Sequence, residues 1–303
     1  MSKEQRAAVD AQLRAASFDA TGAPDELRTA FAAMMAGSPP PLGVALAPTV
    51  LGGRPALEIT PEGGVAGGTI LYFHGGAWVF GSPETARHLT AALVRRTGAR
   101  AISLDYRLAP EHPFPAAIED AVAAYRELLE GGVPAERIVL AGDSAGGGLC
   151  ITALLAARDA GLPQPAGVVA FSPGLDATRS GESMTTKEGI DPLFTRESLQ
   201  RLGALYRAGQ DPRQPLLSPA VFADLSGLPP LLLQAGSNEV LLDDSTRLAT
   251  RAAAAGVDVI LDVTGDVPHV FQSFTGSLDE ADAALDRAGR FVLDRLASAQ
   301  VAP

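Results

Sequence analysis

The sequence predicts an α/β fold built on a mostly parallel, doubly wound sheet. Short apolar runs alternate with helical stretches along most of the 303 residues, which is typical of strands joined by crossover helices. The runs are apolar throughout, as in Ile138-Val139-Leu140-Ala141, and this favours strands that helices cover on both faces. A chain of this length forms one large domain or two small ones.

Two helices are predicted ahead of the sheet, over 4–16 and 24–36. The second begins at Pro24, has acidic residues in its first turn, and carries apolar residues on one side: Leu27, Phe31, Met34 and Met35. The glycine- and proline-rich stretch 37–41 then breaks the pattern and is expected to be a linker. We therefore expect residues 1–40 to be an N-terminal helical segment, with the sheet-containing domain at 41–303.

From about residue 44 the chain is expected to alternate strands with helices. Six strands are predicted, at 68–73, 99–105, 137–141, 166–171, 230–235 and 257–263. Five helices are predicted between and after them, at 84–97, 116–130, 146–160, 243–255 and 279–298. Residues 176–226 depart from this alternation, because they are rich in proline and carry one predicted helix at 195–208. An insertion of this length is a candidate lid or binding element, and with residues 1–40 it is expected to form a helical cap.

Composition narrows the possible partners and the location. The formal net charge is −11, from 24 basic and 35 acidic residues, which argues against nucleic acid or an anionic membrane as the main partner. The single cysteine, Cys150, excludes an intramolecular disulfide and is expected to be a small buried apolar residue. The N-terminus has no apolar signal region, and no stretch approaches the ~20 apolar residues of a membrane span. The predicted location is the cytoplasm, and neither a metal nor a cofactor is expected.

The strongest local motif is Gly142-Asp143-Ser144-Ala145-Gly146, which fits the G-x-S-x-G pattern of a nucleophile elbow. A predicted strand leads into it and a helix rich in small residues leads out, which is the context that the motif requires. The serine at the tip must occupy strained backbone, and a glycine two positions to either side removes a Cβ that would clash between strand and helix. Ser144 is therefore the candidate nucleophile.

A second motif follows the strand predicted at 68–73, where the chain continues His74-Gly75-Gly76-Ala77-Trp78. The amides of Gly75 and Gly76, with that of Ala145, can form a hole that stabilises an oxyanion. We expect His74 to hold this loop by hydrogen bonds rather than to act as a base. Trp78 is expected to line an acyl or alcohol pocket, with a packing role beneath the loop as the alternative.

A serine nucleophile needs an imidazole to take its proton and a carboxylate to orient that imidazole. Of the four histidines, His88 is expected at the surface of a helix and His112 in a structural proline-rich turn. Only His269 follows both Ser144 and the segment 236–244, which carries the candidate acids and is called the acid loop. This is the chain order serine, acid, histidine. For the acid, Glu239 directly follows a predicted strand and is preferred. Asp243 is second, because it and Asp244 begin the next helix and can cap it.

With these motifs, the segment Asp105-Tyr106-Arg107-Leu108-Ala109-Pro110-Glu111 makes the sequence resemble the hormone-sensitive-lipase-like family of bacterial esterases, from about residue 45 onward. The resemblance implies an α/β-hydrolase fold with a helical cap, a structural turn at 105–107, and a homodimer formed through a sheet edge. In that family the acid opens a segment of the form Asp-Pro-Leu-x-Asp. Here Glu239-Val240-Leu241-Leu242-Asp243 corresponds to it, with glutamate replacing aspartate, and Ala77 replaces the third oxyanion-loop glycine.

The resemblance implies hydrolysis of short- to medium-chain carboxylic esters through an acyl-enzyme, without a cofactor. Ser144 would attack, His269 would move the proton and Glu239 would hold His269. Five residues are candidates to line the pocket for the small-molecule substrate: Trp78, Asp143, Phe194, Tyr206 and Val270, although Asp143 is expected mainly to anchor the elbow. One alternative is a lactone hydrolase of the monoterpene lactone type. A binding receptor of the same fold is disfavoured, because the gibberellin receptors that resemble this family lack the histidine.

Overall fold

The computed structural model of the protein describes residues 2–16, 20–37 and 41–298. Its sheet has eight strands: β1 (Val44–Leu51), β2 (Arg54–Pro61), β3 (Thr69–Phe73), β4 (Arg100–Leu104), β5 (Ile138–Asp143), β6 (Gly167–Phe171), β7 (Leu231–Gly236) and β8 (Val259–Thr264). The strand order is β1-β2-β4-β3-β5-β6-β7-β8. β2 pairs antiparallel with β1 and with β4, and every other pairing is parallel. The predicted mostly parallel α/β fold is confirmed.

The β1–β2 hairpin is an element that the sequence prediction missed. Most β1 side chains are exposed and Pro48 interrupts the strand, so no continuous apolar run marks it. Arg54, Pro55 and Glu58 interrupt β2 in the same way. The six predicted strands are all present, with ends that differ by one or two residues.

The helices before and around the sheet are α1 (Ser2–Ala15), α2 (Pro24–Ala36), α3 (Pro83–Thr97), α4 (Ala116–Glu130), α5 (Ala145–Asp159), α9 (Leu242–Ala254) and α10 (Asp279–Ser298). α3 and α10 pack on one face of the sheet, against side chains such as Ile70 and Tyr72. α4, α5 and α9 pack on the other face, against Leu71 and Phe73. Because the central strands are covered on both sides, β3, β6 and β7 are fully buried. Cys150 on α5 is buried, as predicted.

Between β6 and β7 the chain leaves the sheet and forms α6 (Ser183–Thr186), α7 (Arg196–Arg207) and α8 (Pro219–Phe222). The predicted helix at 195–208 corresponds to α7. Residues 38–40 of the predicted linker lie outside the described part of the chain. Among the described helices, none combines the length and the apolar character needed to cross a bilayer.

Candidate active site

Ser144 lies at the tip of a sharp turn between β5 and α5. Its backbone has φ +54° and ψ −117°, which is a strained combination for a residue with a side chain. The flanking glycines permit this turn. A Cβ on Gly146 would lie 1.9 Å from the Phe73 carbonyl oxygen, and one on Gly142 would lie 2.5 Å from the Gly146 carbonyl carbon. Glycine at both positions is therefore required for α5 to cross the sheet so closely.

Ser144, His269 and Glu239 form a hydrogen-bonded series. Ser144 Oγ lies 2.9 Å from His269 Nε2, and His269 Nδ1 lies 2.5 Å from Glu239 Oε2. The other carboxylate oxygen of Glu239 accepts the Gly236 amide at 3.0 Å. With the proton on Nδ1, the imidazole donates to Glu239 and leaves Nε2 to accept from the serine hydroxyl. Glu239 is fully buried and His269 is 4% exposed, so water does not compete for these contacts.

The surroundings of His269 favour its protonated form. Burial alone lowers the pKa of the imidazole, but the hydrogen bond and charge of Glu239, assisted by Asp191 and Asp143, outweigh burial and raise the pKa above its ordinary value. An imidazole with a raised pKa is a stronger base toward a serine hydroxyl. The arrangement can thus remove the hydroxyl proton and hold it as a buried imidazolium.

The other two candidate acids have different partners. Asp243 exchanges two hydrogen bonds with Ser183, because its amide donates to Ser183 Oγ and its carboxylate accepts the Ser183 amide. Asp244 Oδ2 accepts the amides of Leu175 and Asp176. Both carboxylates therefore fasten α9 to the segment after β6, while Glu239 contacts His269.

The loop after β3 brings backbone amides next to Ser144. Gly76 has φ +122°, and a Cβ there would lie 2.0 Å from the Phe80 carbonyl oxygen, so this position also requires glycine. The Gly76 carbonyl accepts the amides of Val79 and Phe80, which closes the turn. Within the described residues, the amides of Gly76 and Ala145 donate to no protein acceptor. They are therefore available to an oxyanion on a bound group.

Asp143 lies beneath this loop and lines a cavity together with Ser144 and His269. The Tyr72 hydroxyl donates to its Oδ1 at 2.8 Å. Burial raises the pKa of the Asp143 carboxyl to about 6, while Tyr72, His269 and the Gly75 backbone oppose that shift. Asp143 therefore connects β3, β5 and the glycine loop, and it also forms part of the cavity wall.

His74 holds the loop, as expected. Its imidazole is completely buried, lies with Nδ1 2.8 Å from the Gly75 carbonyl oxygen, and stacks on Tyr106 at 4.2 Å between ring centroids. The Tyr106 hydroxyl donates to the His74 carbonyl at 2.7 Å. Burial lowers the pKa of His74 to about 4, which keeps the ring neutral. Next to it, Arg107 donates to Asp120 and fixes the turn after β4.

An apolar cavity of about 120 Å³ opens at Ser144 and His269. Three of the predicted lining residues, Asp143, Phe194 and Val270, lie in its wall. The remaining wall comes largely from apolar side chains of α1, α2, α3, the loop after β3 and the segments near 193 and 274: Leu13, Phe31, Met34, Met35, Phe80, Leu89, Leu193 and Phe274. Phe194 contacts the His269 ring edge to face, at 5.3 Å between centroids.

The structure corrects the prediction for Trp78 and Tyr206. Their rings stack on each other at 4.6 Å and line a separate, smaller cavity. Trp78 has φ +61°, and its indole packs on α5 and on the loop after β6, where Gly148 and Gly174 leave room for the ring. The alternative packing role describes this residue better than the pocket role.

Sequence reasoning also missed part of the wall. His88 was expected at the surface, but it is half-buried and lines the cavity with Leu89. The apolar side of 24–36 was visible in the sequence and does supply Phe31, Met34 and Met35. Their periodicity predicted a buried face but gave no sign of what that face covers.

Comparison with known proteins places the chain in a family. The sequence profile of a family described by its alpha/beta hydrolase fold matches residues 70–273. An acetyl-hydrolase of Streptomyces hygroscopicus is 49% identical over 226 residues, covering 75% of this chain and 75% of that protein. An esterase of Acinetobacter venetianus is 38% identical over 224 residues, covering 73% of each chain.

Solved structures agree with the sequence relatives. An esterase from the bacterial hormone-sensitive lipase family superposes with a TM-score of 0.93 and 43% identity, covering 97% of this chain and 98% of that one. With that likeness over nearly the whole chain, this protein belongs to the α/β-hydrolase family, in its branch of bacterial hormone-sensitive-lipase-like esterases.

Proposed function

We propose that the protein is a serine carboxylesterase, a carboxylic-ester hydrolase with Ser144 as nucleophile, His269 as base and Glu239 as acid. The observation that carries the proposal is the continuous series of contacts from Ser144 Oγ through His269 to the buried Glu239 carboxylate. This is the geometry of a catalytic triad, in which the carboxylate holds the imidazole in the productive tautomer.

In the first half of the reaction, Ser144 Oγ attacks the ester carbonyl carbon while its proton passes to His269 Nε2. The negative charge on the former carbonyl oxygen is stabilised by the amides of Gly76 and Ala145. The Gly75 amide, the third predicted donor, lies next to them and interacts with the Asp143 carboxylate. Collapse of this intermediate breaks the bond to the alcohol oxygen, which takes the proton from Nε2. A water molecule then attacks the carbonyl carbon of the acyl-serine and gives a proton to His269 Nε2. Collapse of this second intermediate breaks the bond to Ser144 Oγ, which takes the proton back from Nε2, and the carboxylic acid is released.

The cavity supports a short- to medium-chain ester as the substrate. Its wall is mostly aliphatic and aromatic, which suits an uncharged acyl or alcohol group. The Streptomyces relative is named an acetyl-hydrolase, which points to the short end of this range. A lactone presents the same carbonyl, so activity on a lactone but on no open-chain ester would reassign the substrate without changing the triad.

Residues 1–40 and the insertion at about 176–226 are proposed to form a cap over the catalytic domain at 41–303. Support comes from the cavity wall, to which α1 and α2 contribute Leu13, Phe31 and Met34 and the insertion contributes Leu193 and Phe194.

We also propose that the protein forms a homodimer through the β8 edge of its sheet. The cytoplasmic location stays a prediction from the sequence.

Replacement of the proposed nucleophile tests the function. Ser144→Ala should abolish hydrolysis of p-nitrophenyl butyrate and labelling by a fluorophosphonate, because alanine has no hydroxyl to acylate or phosphonylate. Ser226→Ala, which changes an exposed serine outside the cavity, should keep both. Near-normal turnover by Ser144→Ala would refute the assignment. A panel of esters of increasing chain length, with lactones and amides, would define the substrate.

A further inference from the structure

Asp191, in the insertion between β6 and β7, is a buried carboxylate that contacts the acid loop. It is 6% exposed. Its Oδ1 accepts the amides of Leu193 and Phe194 at 2.8 and 3.0 Å, and its Oδ2 accepts the Val240 amide at 2.9 Å. Val240 directly follows Glu239 in the chain. One carboxylate therefore joins the insertion to the residue next to the proposed catalytic acid.

On the insertion, the residue that Asp191 holds in place contacts the His269 imidazole. The two amides held by Oδ1 fix the backbone at Phe194, whose ring packs edge to face on His269 at 5.3 Å. The acid-loop side ends on the same ring, because Glu239 lies 2.5 Å from His269 Nδ1. Asp191 thus fixes two separate segments that contact His269 from different directions.

We propose that Asp191 is a positioning residue for the esterase reaction, which keeps Glu239 and Phe194 in their contacts with the His269 ring. The inference rests on the proposed function of Ser144, His269 and Glu239. Asp191 acts through its neighbours, since its three hydrogen bonds all go to backbone amides of other residues.

A carboxylate at this position has a second effect, through its charge. The charges that raise the pKa of His269 come from three elements: Glu239 on the acid loop, Asp143 at the end of β5, and Asp191 on the insertion. Arg14 on α1 interacts with the charge of Asp191 and donates to the Ile190 carbonyl at 2.9 Å. Removing the Asp191 charge should therefore lower the pKa of His269.

The test compares two aspartates of the insertion. In Asp191→Asn the side chain keeps one acceptor oxygen, so its amide nitrogen faces either the Val240 amide or the Leu193 and Phe194 amides, and one link is lost in either orientation. Asp211→Asn is the matched control. Asp211 also precedes a proline and accepts the amide two residues on, that of Arg213 at 2.9 Å, but it is exposed.

With p-nitrophenyl butyrate, Asp191→Asn should lower kcat by about tenfold to a hundredfold, as expected for a misplaced catalytic group. KM should change less than kcat, and the acid limb of kcat/KM should move to lower pH. Asp211→Asn should match the wild type in all three. A merely structural aspartate would lower the melting temperature and leave the kcat and the acid limb of the folded enzyme unchanged, and that result would overturn the proposal.

A second variant and the activity of the wild type cover the cases in which Asp191→Asn does not fold or the enzyme hydrolyses no ester. If Asp191→Asn does not fold, Asp191→Ser replaces it, because a serine hydroxyl can still accept a nearby insertion amide but is too short to reach Val240. Its kcat and acid limb should change as described for Asn, and wild-type values would again overturn the proposal. If the wild type itself hydrolyses no ester, the proposed function has failed, whereas an active wild type with an unaffected variant rejects only the role of Asp191.

Discussion

The position of a single residue determines which carboxylate contacts His269. Three acidic side chains lie within the six-residue stretch 239–244 that follows β7, at 239, 243 and 244. Glu239 contacts the imidazole, while Asp243 pairs with Ser183 and Asp244 accepts two backbone amides. The backbone path from the end of β7 into α9 determines which of the three faces the ring.

Glu239→Gln should therefore lower kcat for p-nitrophenyl butyrate by about a thousandfold or more, because a neutral amide neither stabilises the imidazolium nor fixes the Nδ1–H tautomer. Asp243→Asn should leave kcat within a few-fold and cost about 1 kcal/mol of unfolding free energy, as is usual for one altered hydrogen bond. Steady-state kinetics and thermal melts of both variants measure this. A larger loss of kcat in Asp243→Asn would make Asp243 the acid.

The same pair of variants gives a pH signature. Neutral His269 is the active form, so kcat/KM should fall as pH drops through the pKa of the imidazole, which lies above its ordinary 6.5 in the folded enzyme. In Glu239→Gln the largest interaction that raises this pKa is gone, and the acid limb should move to lower pH. Asp243→Asn should leave the limb where it is.

At the residue scale, the sequence predicted the site residues that belong to a motif. It did not predict the position of a side chain whose direction depends on a backbone torsion angle. Ser144, the paired glycines and His269 stand in recognisable patterns, and the structure brings them to one cavity. Trp78 lies in the same loop, yet its positive φ and the space beside Gly148 and Gly174 direct the indole to a different cavity. Asp191 lies in none of the motifs identified in the sequence. Its contact with the acid loop joins residues 49 positions apart, and local patterns do not encode such a contact.

At the scale of elements, the crossing of α5 over β3 is the contact that places the nucleophile. Gly146 on α5 lies against the last carbonyl of β3, where a Cβ would come within 1.9 Å of oxygen. Both partners are backbone, so neither can move aside as a side chain tip would. The crossing therefore depends on a hydrogen atom at this position.

Gly146→Ala should separate α5 from β3 and cost at least about 3 kcal/mol, at the upper end of overpacking penalties. We expect little soluble protein or a melting temperature lowered by many degrees, with activity lost in proportion. Gly63→Ala supplies the control, because a Cβ there meets nothing within 4 Å and φ is not positive. Equal melting temperatures for the two variants would show that the crossing tolerates a methyl group.

The hydrophobic pattern predicted the strands that helices cover on both faces, and it missed the more exposed β1–β2 hairpin. β3 and β6 are apolar because both faces are buried, so their runs are conspicuous in the sequence. β1 is exposed at most positions and β2 is mixed, so their hairpin has no comparable run. The register of β2 on β4 comes from tertiary pairing, which local patterns do not encode.

At the scale of the whole molecule, the sheet ends in two edge strands with different chemistry. β1 contains Pro48, which has no N–H to donate, and proline on an edge discourages pairing with another chain. β8 has no proline and exposes Ile260 at 50%, Leu261 at 38% and Val263 at 42%. Of the two edges, β8 is the better surface for a second copy of the chain, in a two-fold, self-complementary pairing.

Light scattering coupled to size exclusion should therefore give about twice the 31.1 kDa chain mass for the wild type. Ile260→Lys should shift the protein toward the monomer, since a lysine ammonium on each copy would be buried next to its symmetry mate. Leu46→Lys makes the same change on the β1 edge, where the leucine is 41% exposed, and should leave the dimer intact. A dimer that survives Ile260→Lys but dissociates in Leu46→Lys would move the interface to β1, and a monomeric wild type at tens of micromolar would reject the dimer. Because β8 directly precedes the loop that carries His269, the kcat of the monomeric variant would also show whether pairing at this edge supports the site.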